Sequence, residues 1–252
     1  MLRRSLIAAV SVVLALTAAG CAGLPIGSSG DAAEAVSILQ RAEDASNKLD
    51  SMSFFMTMNM DAAGQTFSAT MHGGAYLKGD QAGNMALQMN MNGPGLPNTD
   101  AQVVLRDGQL YLETGGSWQR YPGALNLDQF QAKQLSGLDI AKYVKDVHVE
   151  DHTQFVGEPV TKIAATIDGK QLLSQVLGQV SNSLGQSGVQ LPSDSFDIGD
   201  VRIVIYVSET TQLVRAVHED MTITVQGQKA HMALDLSVVG VNQPVDIPAP
   251  AV

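Results

Sequence analysis

Methionines alternate with other residues along three successive stretches of this chain, and this period of two constrains the fold more than any other feature. Eight of the eleven methionines fall between residues 52 and 91. Residues two apart share one face of a β-strand, whereas a helical face repeats every three or four residues. Turn-forming segments at 61–64 and 79–83 separate the stretches. The pattern therefore predicts an antiparallel meander with one apolar face.

The rest of the chain extends this meander and adds helices. Strand-period patterning recurs in nine later segments, at 101–106, 110–114, 118–121, 154–156, 161–167, 201–207, 212–218, 220–226 and 229–239. The Asp107-Gly108 pair between two of them predicts a tight hairpin. Helical spacing instead predicts three helices, at 32–49, 124–146 and 169–184, and a loop at 185–199. We expect a single α+β domain over residues 31–252, dominated by a large antiparallel sheet.

The N-terminus has the pattern of an export signal. Arg3 and Arg4 precede an apolar segment at 6–16, and small residues then lead to Cys21, the only cysteine. This order is typical of a signal peptide, here residues 1–20. The run LTAAGC resembles a bacterial lipobox, in which the cysteine becomes the acylated first residue of the mature chain.

Two alternatives to lipidation remain: an ordinary cleaved signal with an incidental cysteine, or an uncleaved anchor. The apolar segment is shorter than the ~20 residues that span a bilayer. Cys21 has no second cysteine with which to pair, so lipidation is favoured although Ala18 stands where a lipobox usually has leucine. Residues 21–30 then form the lipidated cysteine and a flexible Gly/Ser-rich tether.

The charge of the chain disfavours nucleic acid as a partner. Fifteen Lys and Arg oppose 25 Asp and Glu, which gives a net charge of −10. Removal of residues 1–20 takes away two arginines and no acids, so the mature chain carries −12. Such a chain repels phosphate backbones and anionic headgroups. Membrane attachment is therefore expected to rest on acyl chains.

The alternating methionines are also the candidate ligand site. Methionine is flexible and polarisable, and it is common on apolar surfaces that accept variable shapes. The pattern predicts an apolar cavity for lipid tails, with an ordinary methionine-rich core as the alternative. The residues expected to line the cavity are Met56, Met58, Met71, Met85, Leu87 and Met89.

Polar residues give no comparable signal for a metal or catalytic site. His148, Glu150 and His152 would share one face of a strand and could in principle bind a cation. Their acidic neighbours favour a solvated edge instead, so no metal ligand is predicted. Acidic pairs such as Glu219 and Asp220 lie beside expected turns, where charged side chains are usually solvated. Nucleophile-elbow, Walker, dinucleotide and zinc-protease motifs are missing from the sequence, and we predict no catalytic residue, cofactor or enzymatic activity.

The order of these elements resembles a known lipoprotein family. The lipobox, first helix, long meander, the segment TQFVGEPVTKIAATIDGKQL and the hairpin IVIYVSETTQLVRAV are similar to the LppX/LprA/LprF/LprG lipoproteins, whose domain has a LolA-like half-barrel fold. The resemblance implies a strongly curved sheet, with helices packed on its concave face around a cavity for acyl chains. Cys21 is the only site residue that it transfers.

The expected function follows from the methionines and the resemblance together. We expect a lipoprotein, anchored by acyl chains such as palmitate to the extracytoplasmic face of the bacterial cell membrane. It would bind or carry a lipid or lipidated glycan within the envelope, with an envelope transporter as the candidate protein partner. The alternative is an envelope sensor or protein-interaction module on the same fold, without lipid transfer.

Overall fold

The structure is a computed structural model that describes residues 30–94, 96–120, 144–171, 196–225 and 227–251. One full helix, α1 (Gly30–Ser46), precedes the strands in this part of the chain. The strands are β1 (Ser51–Ala62), β2 (Gln65–Tyr76), β3 (Met85–Gly93), β4 (Leu96–Arg106), β5 (Gln109–Thr114), β6 (Ser117–Arg120), β7 (Val144–Phe155), β8 (Glu158–Ile167), β9 (Phe196–Ile198), β10 (Val201–Ser208), β11 (Val214–Val225) and β12 (Gln228–Val241).

All twelve strands belong to one antiparallel sheet. Its order is β6-β5-β4-β3-β2-β1-β12-β11-β10-β8-β7, and the short β9 pairs with β11 beyond the end of β10. The pairing of β1 with β12 joins an N-terminal six-stranded meander to the C-terminal strands. Within the described residues β6 and β7 are edge strands that do not pair with each other, so the sheet is open.

One face of the sheet is mostly apolar, and we call it the inner face. Residues paired directly across antiparallel strands point to the same side. Following these pairs from β8 to β4 gives the row Ile163, Ile205, Val217, Leu236, Met56, Met71, Met89 and Ala101. The expected apolar face of the methionine strands is therefore continuous with the apolar face of the C-terminal strands.

Helix α1 covers only one end of the inner face. Its buried side chains, among them Ala35 and Leu39, form a cluster with Val147, Ile163 and Val207 of β7, β8 and β10. The helix predicted at 32–49 is thus present, although it ends at residue 46 and residues 47–49 form a turn and a short connection. The methionine strands begin on the opposite side of β11 and β12.

The hairpins follow the turn residues of the sequence. Asp107 and Gly108 join β4 to β5 with φ of 51° and 72°, the left-handed pair that a type I′ turn requires. The predicted Asp-Gly hairpin is confirmed. The Asp107 N–H also donates to Asn84 Oδ1 at 2.9 Å, which ties this turn to the start of β3.

Gly73 allows an unusually close approach between β2 and β3. A Cβ atom at this position would lie 2.3 Å from the carbonyl oxygen of Ala86 and 3.1 Å from the Cα atom of Leu87. Real Cβ atoms do not approach backbone this closely, so any side chain would force the strands apart. A glycine within a strand often marks such an approach or a bend in the sheet.

Three predictions for the C-terminal half are wrong in detail. Residues 144–146 belong to β7 rather than to the end of a helix, and this strand runs far beyond the predicted 154–156. The strands predicted at 212–218 and 220–226 are one continuous strand, β11. Residues 196–198 form β9, inside the expected loop.

The other two predicted helices lie largely outside the described residues. Residues 121–143 and 172–195 are not among those that the structure describes. Residues 169–171 are helical, as predicted, and the Gln171 N–H donates to Asp168 Oδ1 at 3.1 Å. This backbone donor is the main reason that the pKa of Asp168 lies below its usual value. Asp168 thus acts as the predicted N-terminal cap.

Candidate functional site

The structure places all six predicted cavity residues on the inner face. Met56, Met58, Met71 and Leu87 are buried within the larger apolar cluster, and Met89 packs against it while half-buried. Met85 is half-buried and pairs with Ala75 and Leu105 on the same face. The sequence pattern therefore identified one contiguous surface. That these side chains line a ligand cavity stays a prediction.

This cluster draws on both halves of the sheet. Besides the methionine strands it includes Ile167 of β8, Ile198 of β9 and Ile203 of β10, together with side chains of β11 and β12. Met56 and Met71 are each 1 % exposed. The inner face thus gathers flexible methionines at one end and branched aliphatic side chains at the other.

A single acidic side chain interrupts the inner face. Glu219 lies in the middle of β11, where its register partners are Ile203 on β10 and Leu234 on β12. It is 0 % exposed, and neither carboxylate oxygen has a hydrogen-bond partner among the described residues. Burial raises the pKa of Glu219 to about 7, because an apolar environment disfavours the charged form.

The expectation that Glu219 is solvated is wrong. It rested on an assumed turn between residues 218 and 220, and the continuous strand β11 removes that turn. Strand alternation then directs Asp220 to the outer face and Glu219 to the inner face. The only sequence signal was that position 219 continues the period of Val217 and Met221, two buried residues.

The three residues considered for cation binding point to separate partners. His148 Nδ1 lies 3.4 Å from Asp146, Glu150 pairs with Lys162 at 3.2 Å, and His152 Nδ1 lies 2.7 Å from Glu209 Oε1. A register shift between Val149 and Asp151 breaks the regular alternation of β7. Across the part of the chain that the structure describes, no group of three His, Cys, Asp or Glu side chains is arranged to hold a metal ion.

A polar cavity of about 240 Å³ lies beside α1. Its lining includes Arg41 of the helix, His152, Thr161 and Glu209. The hydrogen bond from His152 to Glu209 raises the pKa of the imidazole, and the Thr161 hydroxyl also donates to Glu209 at 3.3 Å. His152 and Thr161 both hydrogen-bond to Glu209, so the cavity is a polar contact between the helix and the sheet.

A second cavity, of about 290 Å³, lies on the outer face of β2 to β5. Most of its lining is polar, including His72, Gln88 and Glu113. Asn90 donates to Asp100 at 2.7 Å across the same surface. The first cavity lies at the α1 end of the sheet. The second counts Met89 and Ala101 among its lining residues, although its other members are polar side chains of the outer face.

Cys21, the predicted lipidation site, lies outside the described residues, as do residues 1–20, predicted as a signal peptide, and most of the predicted tether.

No helix within the described ranges combines the length and the apolar character needed to cross a bilayer.

These features define a class of protein: an open antiparallel sheet with one apolar face and a helix at one end. Lipoprotein LppX from Mycobacterium tuberculosis shares the fold, with a TM-score of 0.50, 11% identity and coverage of 84% of this chain and 97% of LppX. LprF from Mycobacterium bovis matches with a TM-score of 0.48 and 17% identity, over 88% of this chain and all of LprF. The predicted resemblance to the LppX and LprF type is confirmed.

The chain belongs to DUF6612, a family of unknown function, which it matches over residues 34–243. A comparison with curated protein sequences gives no match.

Proposed function

We propose that this protein is a non-enzymatic lipoprotein that holds the acyl chains of a lipid against its inner face. The observation that carries this proposal is the unbroken apolar row from β8 to β4, which includes Met56, Met71 and Met89. Met56 and Met71 are each 1 % exposed, so tails would enter from an open edge of the sheet and displace the side chains that now pack there. Methionine side chains can adapt to tails of different shape.

The dimensions of the row suit an acyl chain. Eight neighbouring strands at a spacing of about 4.8 Å extend over roughly 34 Å. The hydrocarbon core of a bilayer is about 30 Å thick, so one leaflet of tails occupies about 15 Å. Each buried methylene contributes about 0.8 kcal/mol. The row is therefore long enough to bury a whole tail and to retain it firmly.

The complete arrangement in this proposal is a curved half-barrel with helices on its concave face. Helix α1 packs on the inner face at one end. Acylation at Cys21 would hold the domain at the extracytoplasmic face of the cell membrane. A lipid could then be handed to or from an envelope transporter.

The proposal is tested by filling the inner face. Met58 is buried on β1, and the neighbouring Asn59 is exposed on the outer face of the same strand. We expect Met58→Trp to block lipid uptake with little change in the unfolding midpoint, because the indole occupies volume that tails otherwise take. Asn59→Trp is the matched control and should leave both quantities unchanged. Uptake is measured by native mass spectrometry after incubation with dioleoyl lipids.

Two outcomes would contradict the proposal. If Met58 belongs to a tightly packed core, Met58→Trp lowers stability by about 1 to 3 kcal/mol through overpacking. Together with no lipid bound to the wild-type protein, that result excludes lipid binding. Recovery of the protein from its own membrane without lipid, in a stable complex with another envelope protein, would favour the sensor or interaction module.

A further inference from the structure

Glu219 is placed where an ordinary core would have an aliphatic residue. Its four nearest inner-face neighbours are Val217 and Met221 along β11, and Ile203 and Leu234 on the adjacent strands. All four are buried members of the same apolar cluster. A leucine or methionine at this position would extend the cluster without interruption, so fold formation gives no reason for a carboxyl group.

The unpaired carboxyl group carries a substantial cost. Buried polar side chains in native proteins almost always have a hydrogen-bond partner, and each exception requires an explanation. Both oxygens of Glu219 have no such partner among the described residues, and the side chain is fully buried. A ligand group that supplies the missing hydrogen bonds would remove this cost on binding.

The surroundings of Glu219 select the chemistry of that ligand group. The inward positions that flank Glu219 on the two adjacent strands are apolar, namely Val201, Ile203 and Ile205 on β10 and Met232, Leu234 and Leu236 on β12. A phosphate or carboxylate would bring its own negative charge into an apolar site without a cation to pair with it. An ammonium group would require two charges to be desolvated together.

An uncharged hydroxyl group adds no negative charge and requires no second charge to be desolvated. A protonated carboxyl group offers one O–H donor and one carbonyl acceptor, and a hydroxyl group likewise donates and accepts. The two can therefore pair reciprocally without burying a net charge. Burial raises the pKa of Glu219 to about 7, which keeps the protonated form populated near neutral pH.

We propose that Glu219 is a binding residue of the inner face, where its carboxyl group hydrogen-bonds the free hydroxyl group of an uncharged lipid of the diacylglycerol class. This inference rests on the proposed lipid-binding function and specifies that the bound lipid carries a free hydroxyl group. The tails would lie along the apolar row while the hydroxyl group pairs with Glu219.

Two probes that differ only in the hydroxyl group test this selection. They are 1,2-dioleoylglycerol and 1,2-dioleoyl-propanediol, in which hydrogen replaces the hydroxyl group and both ester carbonyls are retained. The wild-type protein should bind the hydroxyl lipid about tenfold more tightly, the factor that one hydrogen bond to an otherwise unpaired buried group contributes. Affinities are measured by displacement of a fluorescently labelled diacylglycerol at pH 6.

Three variants separate the role of the carboxyl group from that of the apolar surface. Glu219→Leu should bind both probes equally, because it can neither donate nor accept. Glu219→Gln keeps a donor and an acceptor and should retain most of the tenfold preference. Asp220→Leu changes the next residue of β11, on the outer face, and should behave as the wild type. Unfolding midpoints confirm that each variant is folded.

The outcomes distinguish this inference from the function on which it rests. Equal binding of the two probes by the wild-type protein would overturn the role of Glu219 and leave lipid binding intact. A preference for the hydroxyl lipid that persists in Glu219→Leu would also overturn the role of Glu219 and leave lipid binding intact. Failure of the wild-type protein to bind either probe would overturn both. If Glu219→Leu does not fold, Glu219→Met takes its place, because a methionine side chain likewise lacks a hydrogen-bond donor and is closer in shape to glutamate.

Discussion

Replacing Glu219 with glutamine should make the protein more stable at neutral and alkaline pH. In the folded protein the pKa of this carboxyl group is raised from 4.5 to about 7. The folded state therefore binds more protons than the unfolded state between these values, so the stability of the wild type falls as pH rises through this window. Below pH 4.5 both states are protonated and the effect vanishes. Glutamine does not titrate and lacks this loss.

The size of the effect follows from the shift. A shift of about 2.5 units at about 1.4 kcal/mol per unit corresponds to roughly 3 kcal/mol. The stability difference between Glu219→Gln and the wild type should grow by about this amount between pH 4.5 and 8. For a domain of this size 1 kcal/mol changes the unfolding temperature by about 2–4 °C, so the two midpoints should separate by roughly 6–12 °C.

The measurement is a series of urea or thermal unfolding experiments on both lipid-free proteins from pH 4.5 to 8. Other titrating groups are the same in the two proteins and cancel in the difference. Asp220→Asn removes an acid from the adjacent outer-face position and serves as the control for the loss of one carboxylate. A constant difference between Glu219→Gln and the wild type would refute the reasoning, because it would mean that Glu219 titrates like an exposed acid.

Three further predictions concern the strand approach, the anchor and the histidine pair. Gly73→Ala should lower the free energy of unfolding by about 1–3 kcal/mol. Gly199→Ala is the control, because a Cβ atom there meets only ordinary van der Waals contact, and it should change the free energy of unfolding by about 0.5 kcal/mol or less. Equal denaturant midpoints for the two variants would contradict the close approach of β2 and β3 at Gly73. Cys21→Ser should move the protein out of the membrane fraction, and its retention after a high-salt wash would show a second anchor. Glu209→Gln should lower the pKa of His152 in an NMR titration, since their hydrogen bond raises it; an unchanged titration would show that the pair does not form in solution.

The N-terminal meander could be predicted because its local signals agree with one another. Each methionine strand alternates without interruption, and β1 pairs with β2 in a single register from residue 51 to residue 76. Turn residues with positive φ then limit each strand at the expected place, as Asp107 and Gly108 do. Pattern and turn chemistry point to the same structure, which is the condition under which sequence reasoning succeeds.

Strand β7 could not be predicted because it is irregular. Register shifts occur between Val144 and Asp146 and between Val149 and Asp151. Each shift changes the face on which the following residues lie, so the apolar residues of this strand do not follow a period of two. At the start of β7 the apolar residues are spaced as in a helix, but pairing with β8 makes this segment a strand.

The buried acid of the candidate site was missed for a different reason. Charged residues are almost never fully buried unless paired, so Glu219 beside Asp220 was assigned to a solvated turn. The structure shows a continuous strand, and the carboxyl group has no hydrogen-bond partner among the residues that the structure describes. Local rules fail most often at functional positions, because those positions serve a ligand rather than the fold. The failure itself thus supports a role for Glu219 in binding.

The position of Glu219 also sets the direction in which tails would extend. Helix α1 packs on β7, β8 and β10, so tails of a lipid held at β11 would run the other way, along the register partners Leu234, Met58, Ala69 and Met91. Met58 lies two strand spacings from Glu219, about 10 Å, and Met91 lies four, about 19 Å. Met58→Trp should therefore block both dioctanoylglycerol and dioleoylglycerol. Met91→Trp should weaken only the dioleoyl lipid. The glycerol and ester atoms add about 5 Å between the hydroxyl group and the tails, so eight-carbon tails, about half of the ~15 Å that longer tails fill in a leaflet, end at about 12 Å from Glu219, whereas dioleoyl tails end at about 20 Å. Equal loss of both lipids in Met91→Trp would place the tails elsewhere on the inner face.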